Sequence, residues 1–123
     1  MRRDSRAYLF DIVEAGTAIL SFLKDSDFEA FAADDLLRSA TERKFEVIGE
    51  ALNQLSRLDL SLVERIARWR DIVAFRNILA HGYATVDHRL VWRAYEESLP
   101  ALLAEAQALL RGEAGHEAPP SGA

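Results

Sequence analysis

Apolar residues return along this chain every three or four positions, and no segment alternates with period two. From Asp4 to Lys24, Tyr8, Ile12, Ala15, Ile19 and Phe22 step by four and three, with Leu9, Val13, Leu20 and Leu23 widening the stripe. That spacing predicts an amphipathic helix of about five turns. Ser26 or Asp27 can cap a short second helix carrying Phe28 and Phe31, and Asp34 or Asp35 opens a third. The third helix runs to about Arg57 and turns Leu37, Phe45, Ile48, Leu52 and Leu55 inward. Asp59 and Ser61 can cap a short segment, Leu62 to Ala67, that leads into a helix from Arg68 to Ala80. After Tyr83, Asp87 caps a final long helix in which Val91, Tyr95, Ser98, Leu102, Ala106 and Leu109 share one face. Pro100 lies inside it, and its missing N–H and ring clash predict a kink near Glu96.

With no period-two segment and no Asn-Gly or Asp-Gly hairpin turn, the fold class is all-α. Four substantial helices with short links predict an up-and-down four-helix bundle, with the short second helix as an extra element. Residues 1–111 form this helical domain. Residues 112–123 have no periodicity and are expected to be a disordered C-terminal tail.

Composition narrows the chemistry. At 123 residues, half of them apolar, one domain is expected. The absence of cysteine excludes disulfides, thiolate metal sites and thiol nucleophiles. Asp11 and Glu14 interrupt the apolar region from Leu9 to Leu20, so a signal peptide or membrane span is not expected and the reading is a soluble cytoplasmic protein. A net charge of −5 argues against a diffuse basic field, so any nucleic-acid contact must be local. Of the 15 basic residues only Lys24 and Lys44 are lysines, and forked guanidinium groups suit phosphate recognition.

The candidate chemistry concentrates in Arg76-Asn77-Ile78-Leu79-Ala80-His81-Gly82-Tyr83. Trp69, Ile72 and Leu79 share a helix face, and Arg76 fills the slot between the last two. A cation in a core-facing slot needs a carboxylate, or else lines a cleft where an anion arrives. Five residues at about 100° each leave Arg76 and His81 roughly 140° apart on a continuous helix. Gly82 as a left-handed terminator would bend the chain and let the imidazole swing toward Arg76. On the third helix, Arg43, Glu46, Glu50 and Gln54 form a polar row, which is either a solvated face or brings Glu50 inward to hold Arg76.

Plainer roles stand beside these. His81 could be a helix-end cap, Tyr83 a packing residue, His88 and His116 solvated surface groups, and Trp69 and Trp92 core or interface anchors. No His, Asp and Glu residues recur at metal-ligand spacing, so no metal and no cofactor are expected.

With these residues at a helix end in a four-helix bundle, the sequence resembles the HEPN superfamily, whose signature is an arginine, four to six residues, a histidine, one residue and a tyrosine. Within it the chain is similar to the HepT-like toxin family over roughly Asp11 to Leu110. The block Glu42-Arg43-Lys44-Phe45-Glu46-Val47-Ile48-Gly49-Glu50-Ala51-Leu52 matches that family's isoleucine-glycine-glutamate-alanine helix. Trp69-Arg70-Asp71-Ile72 and Trp92 through Pro100 match further blocks. The family usually carries a proline shortly before the tryptophan, where this chain has Ile66-Ala67-Arg68.

The resemblance implies a metal-independent ribonuclease toxin acting on tRNA or mRNA. It implies a homodimer with the motifs facing one another across a cleft. It also implies a minimal nucleotidyltransferase antitoxin that adenylylates the motif tyrosine. Carried over, Arg76 and His81 are catalytic, Tyr83 accepts the adenylyl groups, and Asn77 supports the site, with Glu50 as the expected partner of Arg76. A catalytically silent module that binds a nucleotide, or presents a substrate to a nucleotidyltransferase, is the alternative function. A purely structural dimer is a third.

Overall fold

The computed structural model describes residues 4–82 and 86–112. Among these residues the chain is helical, with no strand. Its helices are α1 (Ser5–Leu23), α2 (Phe28–Ala33), α3 (Asp35–Leu58), α4 (Leu60–Val63), α5 (Trp69–His81), α6 (His88–Arg93) and α7 (Leu99–Leu110). A π-helical turn, Ala94–Ser98, joins α6 to α7, so that α1, α3, α5 and the α6–α7 unit form the expected four long elements.

Aspartates start most of these elements. Carboxylates of Asp4, Asp27, Asp34, Asp59 and Asp87 accept backbone N–H groups of Ala7, Ala30, Leu37, Leu62 and Arg89 at 2.8–3.2 Å. Each satisfies a donor that the first helical turn leaves unpaired. Asp27 rather than Ser26, and Asp34 rather than Asp35, hold the cap positions. The short segment after Asp59 ends at Val63, earlier than its sequence suggests. Helix α5 begins at Trp69, and Arg68 before it provides no side-chain cap. The backbone before it is instead fastened across the bundle, where the Ala67 N–H donates to Glu105 Oε1 of α7 at 3.0 Å.

Helix α1 packs along α3 on one side and α7 on the other, while α3 also carries α5. Arg6 Nη1 donates to the Leu110 carbonyl at 2.7 Å, which sets the start of α1 beside the end of α7 and makes the two antiparallel. The inward face of α1 is Leu9, Ile12, Ala15, Gly16, Ile19 and Leu23. The expected stripe is therefore rotated: Phe22 and Leu20 lie at its rim, 36% and 37% exposed. The axis shifts because α7 sits over Gly16, where an added Cβ would come within 3.1 Å of Leu103.

On α3 Phe45, Ile48, Leu52 and Leu55 are sealed, as its spacing predicts, while Leu37 is only half-buried and Thr41, a turn further on, is buried instead. On the last unit Val91, Ser98, Leu102, Ala106 and Leu109 are buried. The interruption near Glu96 takes the form of the π-turn, in which the Leu99 N–H donates to the Ala94 carbonyl. Pro100 then occupies the first turn of α7. Its ring would meet the Glu96 carbonyl in a straight α-helix, and widening the preceding turn avoids that contact. None of the described helices is long and apolar enough to cross a membrane.

Phe45 is fully buried and meets the Phe75 ring edge to face at 5.3 Å between centroids, joining α3 to α5. Phe45→Ala is expected to lower unfolding free energy by about 3–5 kcal/mol, measured by denaturant titration followed by circular dichroism.

Candidate functional site

Gly49 determines how Arg76 leaves the core. It lies where α3 and α5 touch, and a Cβ built on it would sit 2.2 Å from Arg76 Cβ, 2.7 Å from Arg76 Cγ and 3.2 Å from the Ile72 carbonyl. Only the hydrogen of glycine fits there. The arginine stem consequently lies against the α3 backbone, and its guanidinium emerges beside the next residue, Glu50. Arg76 Nη2 meets Glu50 Oε1 at 2.9 Å, and Arg76 Nη1 donates to Asn77 Oδ1 at 3.0 Å. The second oxygen of Glu50 accepts from Gln54 Nε2 at 2.9 Å.

Arg76 is therefore not in the core. Its side chain is 27% exposed and that of Glu50 45%, so the pair lies at the boundary between packed helices and solvent. An ion pair this exposed contributes at most about 1 kcal/mol to stability. Its principal effect is orientation, since two of the five guanidinium donors are held and the others remain for an incoming anion. Of the two readings of the polar row, Glu50 holds Arg76 as the second expected, but from a half-exposed position at the rim. Arg43 and Glu46 pair with each other on the outer side at 3.2 Å.

These groups line a cleft of about 230 Å³. Glu50, Arg43 and Glu46 of α3, Arg76 of α5, and Tyr8 and Asp11 of α1 supply its polar wall. Two guanidinium groups facing carboxylates can bind a phosphate beside a hydrogen-bonding edge.

His81 stands apart from that cleft. Helix α5 continues through His81, and Gly82 is extended, with φ −65° and ψ 150°, rather than left-handed as its sequence position suggests. Glycine is needed here for room: a Cβ at residue 82 would lie 2.5 Å from the Ile78 carbonyl. Helix continuity preserves the roughly 140° separation and about 7.5 Å rise between Arg76 and His81. The imidazole is exposed, on the same outer face as Ile78, which is itself 47% exposed. Within one chain the structure thus assembles Glu50, Arg76 and Asn77 and places His81 on the outer face of the same helix. Tyr83 lies outside the described residues, as does His116.

A second cluster was not legible beforehand. His88 is half-buried rather than solvated, and its Nδ1 is shielded with no hydrogen-bond partner. It lies near Glu42 of α3. Burial raises the Glu42 carboxyl above its ordinary value of 4.5, while the nearby His88 and Arg38 pull it the other way. Nothing in the spacing of Glu42 reveals that residue 88 comes within electrostatic reach of it. Both tryptophans are half-buried packing groups: Trp92 lies 5.4 Å from Phe31 and 5.0 Å from Tyr95, and the Arg70 guanidinium covers Trp69 at 4.5 Å. Among the described residues no group of three or more His, Asp or Glu could hold a metal ion.

Two measurements follow from this geometry. Gly49→Ala must push α5 away from α3 and is expected to cost about 1–3 kcal/mol, read by denaturant unfolding, with loss of the Glu50–Arg76 contact in a crystal structure. Because the Glu42 carboxyl is raised on folding, the folded state holds that proton more tightly, so its contribution is lost as pH rises from 4.5 through the folded value. Glu42→Gln should therefore have a higher Tm than the wild type at pH 7, and the difference should close below pH 4.5.

The sequence profile of the family described as Ribonuclease HepT-like matches residues 12–109. A candidate RNase of Methanocaldococcus jannaschii is 33% identical over 106 residues, covering 86% of this chain and 96% of the relative. A probable ribonuclease HepT of Thermococcus cleftensis is 34% identical over 102 residues, covering 83% and 92%. A candidate RNase of Caldanaerobacter subterraneus subsp. tengcongensis is 29% identical over 108 residues, covering 88% and 96%. No solved structure matches the chain at a significant level. The matched region spans every helix from the middle of α1 to the end of α7, including the α3 and α5 residues of the Arg76 cleft, and on that ground the chain belongs to the HepT-like ribonuclease family.

Proposed function

We propose that this chain is a metal-independent ribonuclease toxin of a toxin-antitoxin system, with Arg76 and His81 as its catalytic residues. The observation that carries the reading is the tethered guanidinium: Arg76 is oriented by Glu50 and Asn77 at the edge of an open cleft, on the helix that ends in an exposed His81. RNA cleavage without a metal requires taking a proton from the 2′-hydroxyl, countering charge on the phosphorus-centred transition state, and giving a proton to the 5′-oxygen. Arg76 serves the second step, as a preorganised fork for the scissile phosphate. His81 serves the proton transfers, since imidazole can act as acid or base near neutral pH.

One imidazole cannot readily serve both proton steps, and His81 faces away from its own Arg76. A two-fold dimer resolves both points by bringing the His81 of one chain toward the Arg76 cleft of the other. The exposed Ile78 beside His81 gives that face an apolar contact residue. Tyr83, two residues beyond His81, is the proposed site of adenylylation by a minimal nucleotidyltransferase antitoxin. Added phosphate charge there would repel and obstruct the RNA backbone.

A second reading, a silent nucleotide-binding module, is favoured by the engagement of both terminal nitrogens of Arg76 in the free chain. The two separate in one assay with tRNA or total RNA in the presence of chelator. Wild type should cleave, and His81→Ala and Arg76→Ala should each lose at least about 100-fold. Equal behaviour of wild type and His81→Ala supports the binding module. Analytical ultracentrifugation should give a dimer. Incubation with the antitoxin and ATP should add adenylyl mass that is absent from Tyr83→Phe.

A further inference from the structure

Each Arg76 cleft of the proposed dimer is short of one group. Helix α5 carries His81 away from the Arg76 of its own chain, so a two-fold arrangement brings each cleft a single imidazole, that of the second chain. Cleavage of an RNA phosphodiester has two proton steps. An imidazole that protonates the leaving oxygen cannot at the same moment take the proton of the nucleophile. The other group has to come from the cleft itself. Among its carboxylates, Glu46 pairs with Arg43 on the outer side, and Glu50 reaches the Arg76 guanidinium at 2.9 Å.

Glu50 is held in place yet open to a substrate. Its Oε1 meets Arg76 Nη2 and its Oε2 accepts from Gln54 Nε2, both at 2.9 Å, while the side chain stays 45% exposed. A carboxylate accepts at about four lone-pair sites, and these two bonds leave room for a hydroxyl donor. A phosphate docked on the remaining donors of Arg76 shares its guanidinium with Glu50. The attacking 2′-oxygen lies about 3–3.5 Å from phosphorus in a reactive conformer, so a base on that same guanidinium is its neighbour. Charge also moves the right way. Taking the proton neutralises Glu50 just as negative charge grows on the phosphorane oxygens, and the Arg76 charge that Glu50 had shared passes to them. That interaction is stronger in the transition state than before it.

We propose that Glu50 is the general base of the cleavage, with the His81 of the second chain as the acid. The 2′-hydroxyl proton passes to a Glu50 oxygen and the 2′-oxygen forms its bond to phosphorus. The bond from phosphorus to the 5′-oxygen breaks, and that oxygen takes a proton from the His81 imidazolium. The products are a 2′,3′-cyclic phosphate and a 5′-hydroxyl end, after which solvent removes the proton from Glu50 and returns one to His81. Gln54 is a positioning residue, because it holds the second carboxylate oxygen. The assignment rests on the ribonuclease reading and adds to it the identity of the base.

The test uses the full-length protein, with chelator present, and an RNA oligonucleotide spanning a mapped cleavage site. A second version carries sulfur in place of the 5′-oxygen at that site, and a thiolate leaves without being protonated. On the ordinary RNA, Glu50→Gln and His81→Ala are each expected to lose about 100-fold or more. On the sulfur substrate His81→Ala should recover toward the wild-type rate, whereas Glu50→Gln should keep its deficit of about 100-fold. A version lacking the 2′-hydroxyl at that site measures binding alone. Glu50→Gln should bind it at least as tightly as the wild type, since a carboxylate beside the phosphate has been removed, and an unchanged Tm shows that the fold is intact. If His81→Ala stays impaired on the sulfur substrate, the imidazole is also the base. If Glu50→Gln loses binding and cleavage by the same factor, the carboxylate acts only through Arg76. Either result overturns the assignment and leaves the ribonuclease reading standing. Cleavage of neither RNA by the wild type overturns both.

Discussion

The close approach of α3 and α5 at Gly49 is the constraint on which the site depends. Two helices can meet this tightly only where one lacks a side chain, and the 2.2 Å that would separate a Cβ here from Arg76 Cβ leaves no room for one. Phe45 and Phe75 fill the same interface a turn away and fix the register. With register fixed, residue 50 has to face residue 76. Glu50 thus meets Arg76 because Gly49 precedes it and not because of any strong attraction, since a half-exposed pair contributes little energy. Fold and site are joined through one glycine.

The same helix carries the second proposed catalytic group in a different environment. Arg76 is held at two nitrogens and faces a cleft, whereas His81 ends the helix on an outer face. Helical continuity through His81 prevents the two from converging within one chain. For the proposed nuclease this makes association part of the chemistry, with each cleft completed from a second copy. It also makes Ile78 relevant, as an apolar residue exposed next to the imidazole.

The far wall of the bundle shows how a local conflict is absorbed without losing packing. Pro100 cannot sit in a continuous α-helix, yet Val91 and Ser98 on one side of the break and Leu102 and Leu109 on the other all stay buried. A π-turn inserts the residue needed to keep those faces aligned. His88 at the start of this unit is half-buried and lies within electrostatic reach of Glu42 on α3.

Much of this was fixed by sequence alone. Periodicity determined the helices and most of the core, because burial on one side forces a 3.6-residue repeat, and side-chain capping chemistry placed the aspartates at helix starts. The placement of Arg76 and His81 on one helix was equally readable. Tertiary structure decided which way the ambiguous residues faced. Phe22 moved to the rim because α7 sits over Gly16, Glu50 meets Arg76 because Gly49 admits the arginine stem, residue 82 has to be glycine because a side chain there would strike the Ile78 carbonyl, and His88 came within electrostatic reach of Glu42. Each of these outcomes depends on a neighbour more than ten residues away or on a backbone atom, and a one-dimensional pattern of polar and apolar positions contains neither.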